Sequence, residues 1–172
     1  MRTSWLGPIR QISFATDNLD RMIHFWEVSV GVGPFDVYRN VTLSMRYEGT
    51  PINLPVHVAI GWLGDALIEL IEVEGPGPSP FHDALGRPII GLQRVASFST
   101  DIASDADAAE ARGLERFAEG GEESGQRYVY FRSPDAPGVI LELLELTPAF
   151  RDLIGEIEAR ARTWQPAQVS AR

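Results

Sequence analysis

Apolar and polar residues alternate with a period of two along several short stretches of the chain, and two of these stretches are near copies. Residues 66–73 read ALIELIEV and residues 139–146 read VILELLEL, so Glu69 matches Glu142 and Glu72 matches Glu145. Short runs of Val, Ile and Leu bounded by turn residues predict β-strands. A second pair lies earlier in each half: IRQISFATDNL at 9–19 and LQRVASFSTDI at 92–102, with Gln11 opposite Arg94 and Asn18 opposite Asp101. Each predicts a strand that ends in a polar turn.

Helical spacing follows both strands. Leu19, Met22, Ile23 and Trp26 share one face behind a capping Asn18 or Asp17, and Gly31 is a natural stop. DIASDADAAEARG offers a capping aspartate, several alanines and a terminal Gly113; its weaker apolar content predicts a more exposed helix. Three further strands complete each half, at 43–48, 56–62 and 66–73, then at 115–118, 126–132 and 139–146. Gly64-Asp65 suits a tight hairpin. That hairpin sets Leu67 against Trp62, Glu69 against Ile60 and Ile71 against Val58 on one face, and His57 against Glu72 on the other. Ile140, Glu142 and Leu144 alternate in the same way, so Glu69 and Glu142 are expected to point into one cavity.

The prediction is therefore an α+β fold of tandem βαβββ modules, at 5–75 and 91–148, forming a cup-shaped, partly closed mixed sheet. The 76–90 linker is rich in Pro and Gly, with one helical turn expected at Phe81–Leu85. At 149–165 Leu153, Ile154, Ile157, Ala161 and Trp164 fall on one face, which predicts an amphipathic C-terminal helix docked on the sheet or on a second copy. A homodimer is the expected assembly.

Composition narrows the partners. The 172 residues carry a net charge of −9 with acids and bases scattered, which argues against nucleic acid or an anionic membrane surface. There is no cysteine, so disulfides, thiolate nucleophiles and sulfur-ligated zinc are excluded. No apolar run approaches membrane-spanning length, and MRTSWLGPIR lacks the apolar core of a signal peptide, so a cytoplasmic location is expected. A small-molecule ligand is the remaining class.

The repeated strand order, the ELIE and ELLE strands and the GVGPF turn at 31–35 together resemble the vicinal oxygen chelate superfamily. That group includes glyoxalases, extradiol dioxygenases, methylmalonyl-CoA epimerases and bleomycin- or fosfomycin-resistance proteins. The resemblance spans residues 5–148 and implies a cup that binds one divalent metal. Its ligands would come from the first and last strands of each half, here Gln11, Glu69, Arg94 and Glu142. Gln11, Glu69 and Glu142 offer oxygen to Mg, Mn or Fe. Arg94 has no lone pair and stays charged.

Two arrangements follow from the resemblance: Arg94 swings out and leaves Gln11, Glu69 and Glu142 to hold Mg, Mn or Fe with water, or Arg94 replaces the metal between Glu69 and Glu142; the second, a degenerate site with no cofactor, is favoured. Glu69, Glu142 and Arg94 are the catalytic candidates, and Gln11, Trp62, Ile60, Tyr128 and Tyr130 the substrate-binding ones. The plainer alternative is a structural ion pair with aromatic packing around it. His24 reads as a surface residue, His57 lies on the wrong face, and His82 reads as a solvated loop histidine. The implied chemistry is lyase or isomerase/epimerase chemistry at an enolate or carbonyl. Dioxygenase chemistry is disfavoured without histidine at Gln11 or Arg94. A non-catalytic, drug-sequestering binding protein is the alternative.

Overall fold

The computed structural model describes residues 5–121 and 125–166. In the first half, β1 (Ile9–Thr16) leads into α1 (Leu19–His24), which continues as a π-helical turn over Phe25–Val30. Asn18 caps α1 by accepting a hydrogen bond from the Arg21 amide. Gly31, at φ +79°, ends the turn in the left-handed conformation that a side chain would resist. Leu19, Trp26, Met22 and Ile23 pack this helix against Phe14, Ile68 and Leu70 on the outside of the sheet.

Strands β2 (Asp36–Tyr47), β3 (Thr50–Leu63) and β4 (Ala66–Val73) follow, then β5 (Gly91–Ser99), α2 (Ile102–Glu110), β6 (Glu115–Gly120), β7 (Tyr128–Arg132) and β8 (Leu141–Glu145). β2, β3 and β6 are longer than expected; for β2 the reason is that residues 37–42 are exposed and carry no apolar alternation to mark them. The β3–β4 hairpin has the register read from the sequence, with Glu69 opposite Ile60 and His57 opposite Glu72.

The eight strands close into a barrel in the order β1-β4-β3-β2-β6-β7-β8-β5. This corrects the partly closed cup. The halves meet along β1 and β5, and again where Met45–Tyr47 pair with Gly120–Ala118; the second seam uses the expected part of β2 and two residues of β6, Glu119 and Gly120, beyond the expected strand. Across the first seam Gln11 pairs with Ala96 and Ser13 with Arg94. Those reciprocal pairs are the mark of a pseudo-twofold axis relating Gln11 to Arg94 and Ser13 to Ala96. The same axis relates Glu69, beside Ser13, to Glu142, beside Ala96, and Ile60 to Tyr130.

Both ends of the barrel are covered. At one end lies the linker, where turns and a short bridge between His82 and Pro88 replace the expected helical turn. His82 is buried, not solvated: its Nδ1 bonds Ser79 Oγ at 2.6 Å and its Nε2 bonds the Gly75 carbonyl at 3.0 Å. These bonds fold the linker into a strap that drives the fully buried Phe81 into the barrel core. At the other end α3 (Pro148–Thr163), capped by Thr147, crosses the opening. Its Phe150 and Ile157 are buried in the same core, and Leu153 and Ile154 pack half-buried against it.

Candidate functional site

Side chains that alternate inward from four adjacent strands converge inside the barrel: Glu142 from β8, Arg94 from β5, Gln11 and Ser13 from β1, and Glu69 from β4. Arg94 sits between the two carboxylates. Its Nη2 donates to Glu69 Oε2 at 2.6 Å and its Nε to Glu142 Oε2 at 2.7 Å. Nη1 donates to Gln93 Oε1 at 2.8 Å, and Gln93 in turn holds the Pro80 carbonyl of the strap. The guanidinium carbon stands 5.0 Å from the Tyr130 ring centre and 5.7 Å from that of Phe81. Side-chain exposure is 4% for Arg94 and 3% for Glu142, so the pair has left water behind.

The two glutamates are twins by sequence but not by partners. Glu69 Oε2 accepts from Arg94, from Gln11 Nε2 at 2.8 Å and from Ser13 Oγ at 2.6 Å. Glu142 accepts from Arg94 alone among the described residues, because the pseudo-twofold places Ala96 where Glu69 has Ser13 and Arg94 itself where Glu69 has Gln11. Desolvation therefore dominates at Glu142. Burial pushes its carboxyl up to about 7, with Glu69 adding to the rise and Arg94 opposing it. Burial alone would lower Arg94, but the Glu142 and Glu69 carboxylates outweigh it and hold the guanidinium charged. Burial also raises the Tyr130 and Tyr128 hydroxyls, so both stay protonated.

Capacity for a ligand remains. Trp26 Nε1 is the one fully enclosed side-chain polar atom without a partner among the described residues. The Oε1 atoms of Glu69 and Glu142 accept no hydrogen bond among the described residues. Arg94 has five N–H groups and uses three, leaving one on Nη1 and one on Nη2.

The structure also places the other candidates. Tyr130 faces Glu142 across β7 and β8, and Ile60 faces Glu69. Tyr128 stacks 5.3 Å from Tyr130 and donates its hydroxyl to the Ser44 carbonyl at 3.2 Å. It also lines a recess of about 800 Å³ between β2, α2 and β6 that none of the acid–arginine cluster reaches. Trp62 packs half-buried against the core, in a recess shared with Trp164 beyond the end of α3. His24 is exposed, and His57 bonds Glu74 at 2.9 Å away from the cluster. Ser13, Gln93 and Phe81 were missed. Ser13 had a signal, since it alternates inward two residues after Gln11, whereas Gln93 is outward by simple alternation and is buried beside Arg94 only because a β-bulge interrupts the β1–β5 pairing there, and Phe81 lies in a polar linker.

The residues do not fit a divalent ion. A guanidinium occupies the centre, and Glu69 Oε2 already accepts from three donors. Gln11 turns its amide nitrogen, not its oxygen, to that carboxylate. No group of three or more His, Cys, Asp or Glu side chains comes together among the described residues.

No protein-family model matches the sequence, and no curated protein aligns with it significantly. Solved structures do. Methylmalonyl-CoA epimerase from Mycobacterium tuberculosis is 18% identical, over 88% of this chain and 96% of that one, with a TM-score of 0.59. The hypothetical protein BH1468 from Bacillus halodurans C-125 is also 18% identical, over 81% and 94%, with a TM-score of 0.58. A methylmalonyl-CoA epimerase in complex with methylmalonyl-CoA and NH4+ matches at 18% identity, over 83% and 96%, with a TM-score of 0.50. At this identity the likeness speaks for architecture alone: the chain shares its mixed β-barrel fold with these solved structures.

Proposed function

We propose that the protein is an enzyme of the lyase or isomerase class that moves a proton on carbon next to a carbonyl group, using Arg94 where related folds use a metal. The unequal partnering of the twin carboxylates around one cation carries this reading. Glu69 is the clamp: three donors hold its Oε2, and it fixes Arg94 in place. Glu142 is the proton carrier, with a free Oε1 and a carboxyl raised to about 7, where a general base and its conjugate acid are both populated. When Oε1 takes the proton from the carbon, the C–H electron pair moves toward the carbonyl oxygen. The two unused N–H groups of Arg94 receive the developing oxyanion. Return of the proton to the same or another face completes an isomerisation; expulsion of a β-substituent completes an elimination. Tyr130, Ile60, Trp62 and Tyr128 contribute the apolar wall, and Gln11 orients Glu69.

The test is exchange of the α-proton of candidate carbonyl compounds in D2O, followed by proton NMR. Exchange should fall at least about 100-fold in Glu142→Gln. Equal exchange in wild type and Glu142→Gln overturns the assignment. A second reading, a sequestering protein without chemistry, is favoured by the covered barrel ends. It predicts ligands that bind tightly and never exchange.

A further inference from the structure

Of the two closures, the strap and α3, only one is built to open. The strap is pinned by buried bonds, Ser79 to His82, His82 to the Gly75 carbonyl and Gln93 to the Pro80 carbonyl, and by Phe81. The α3 closure is different in kind. Leu153 and Ile154 are half-buried, and the far end of the helix is tied by Arg160 to Asp36, an ion pair exposed at the arginine. Gly155 stands in the middle of the helix with nothing within 4 Å of the position a Cβ would take. No packing demand explains a glycine there, yet it weakens the helix. Phe150 and Ile157 are its two buried anchors, and with solvated ties and a mid-helix glycine around them α3 is held less firmly than the strap, which makes it the closure that opens ahead of the fold.

The position of α3 gives this weakness a use. Phe150 packs its ring 5.3 Å from Phe98. Phe98 is on the inward face of β5, four residues from Arg94, or about 13 Å along the strand. Phe150 and Ile157 thus cap an apolar column of Phe98, Leu67 and Leu144 that leads to the guanidinium. The cluster itself, one cation and two carboxylates, is negative when fully ionised, so a second anion brought to it would be repelled in a poorly screened interior.

We infer that α3 is a displaceable lid whose apolar side chains stand where the body of a ligand goes, and that this ligand is a neutral apolar carbonyl compound, a ketone or thioester, not a carboxylate. The inference rests on the reading of Arg94 as the oxygen-holding group. The ligand's chain takes over the contacts of Phe150 and Ile157, and its carbonyl oxygen takes the free N–H groups of Arg94.

The experiment combines thermal-shift binding with amide hydrogen exchange, using 2-octanone, octanoate and acetone as probes. 2-Octanone should bind and speed exchange across 148–163 at least fivefold while the strands stay protected; octanoate and acetone should do neither. Gly155→Ala should slow exchange of α3 in the free protein roughly fivefold. Arg160→Ala should speed it and tighten 2-octanone binding. Binding of 2-octanone with no change in α3 overturns the lid, and octanoate binding as well as 2-octanone overturns the ligand class. Absence of binding even in Arg160→Ala overturns both. Glu142→Gln keeps the two ideas apart: loss of proton exchange there with α3 still released by 2-octanone tests the chemistry alone.

Discussion

Glu142→Gln makes a prediction opposite in sign to ordinary salt-bridge reasoning. Glu142 lies against Arg94 at 2.7 Å with 3% of its side chain exposed, and its removal would usually be expected to destabilise. Here Arg94 is already shared with Glu69, and Glu142 has no other donor among the described residues. Its carboxyl is raised from 4.5 to about 7. Below pH 4.5 the group is protonated in both folded and unfolded chains. Between 4.5 and 7 the folded chain keeps a proton that the unfolded chain has lost, so stability falls as pH rises, by about 3 kcal/mol in all. Glutamine keeps the shape and an oxygen acceptor for Arg94 but cannot ionise. Urea denaturation followed by circular dichroism should therefore find Glu142→Gln close to wild type at pH 5 and more stable by up to about 3 kcal/mol at pH 8. In melting temperature that is roughly 6–12 °C for a chain of this size. A variant less stable than wild type by the same amount at both pH values would show Glu142 ionised throughout, and the proton-carrier argument would fail.

Arg94→Met leaves two buried carboxylates without a counter-charge and should cost about 3–5 kcal/mol, more at pH 8 than at pH 5; a pH-independent loss would contradict the cluster's charge balance. Phe81→Ala empties a core position under the guanidinium and should cost about 3–5 kcal/mol in denaturant titration; a cost near zero would mean the strap does not plug the barrel. Arg94→His removes the cation and supplies an imidazole beside Gln11, Glu69 and Glu142. Isothermal titration should then show Ni²⁺ or Co²⁺ binding that the parent lacks, and no gain in affinity would count against the placement of Arg94 at a metal position.

Much of this was legible in the chain because the repeat is written in strand periodicity. ALIELIEV and VILELLEL fix which side Glu69 and Glu142 face, and Gly64-Asp65 fixes the hairpin register. What stayed hidden depended on contacts between distant segments. Residues 37–42 carry no burial signal, so the reach of β2 could not be seen, and the closure of the barrel rests on three pairs between Met45–Tyr47 and Ala118–Gly120, strands far apart in sequence with no turn to join them. The linker reads as polar, yet a local Ser79–His82 bond turns Phe81 inward. The unequal partnering of the twin glutamates comes from Ser13 and Ala96, a hydroxyl and a methyl at equivalent positions, and only the parallel pairings of β1 with β4 and of β5 with β8 show that each glutamate stands beside one of them.

The whole cluster is carried by four neighbouring strands, β8, β5, β1 and β4, on one side of the barrel. The facing strands β2 and β6 supply none of its hydrogen bonds and join over three residue pairs. A wall so divided separates two mechanical duties. One arc fixes the geometry of the carboxylates and the guanidinium, while the opposite arc can vary in length, sequence and tilt without moving them. Substitutions there leave the Glu69–Arg94–Glu142 cluster untouched.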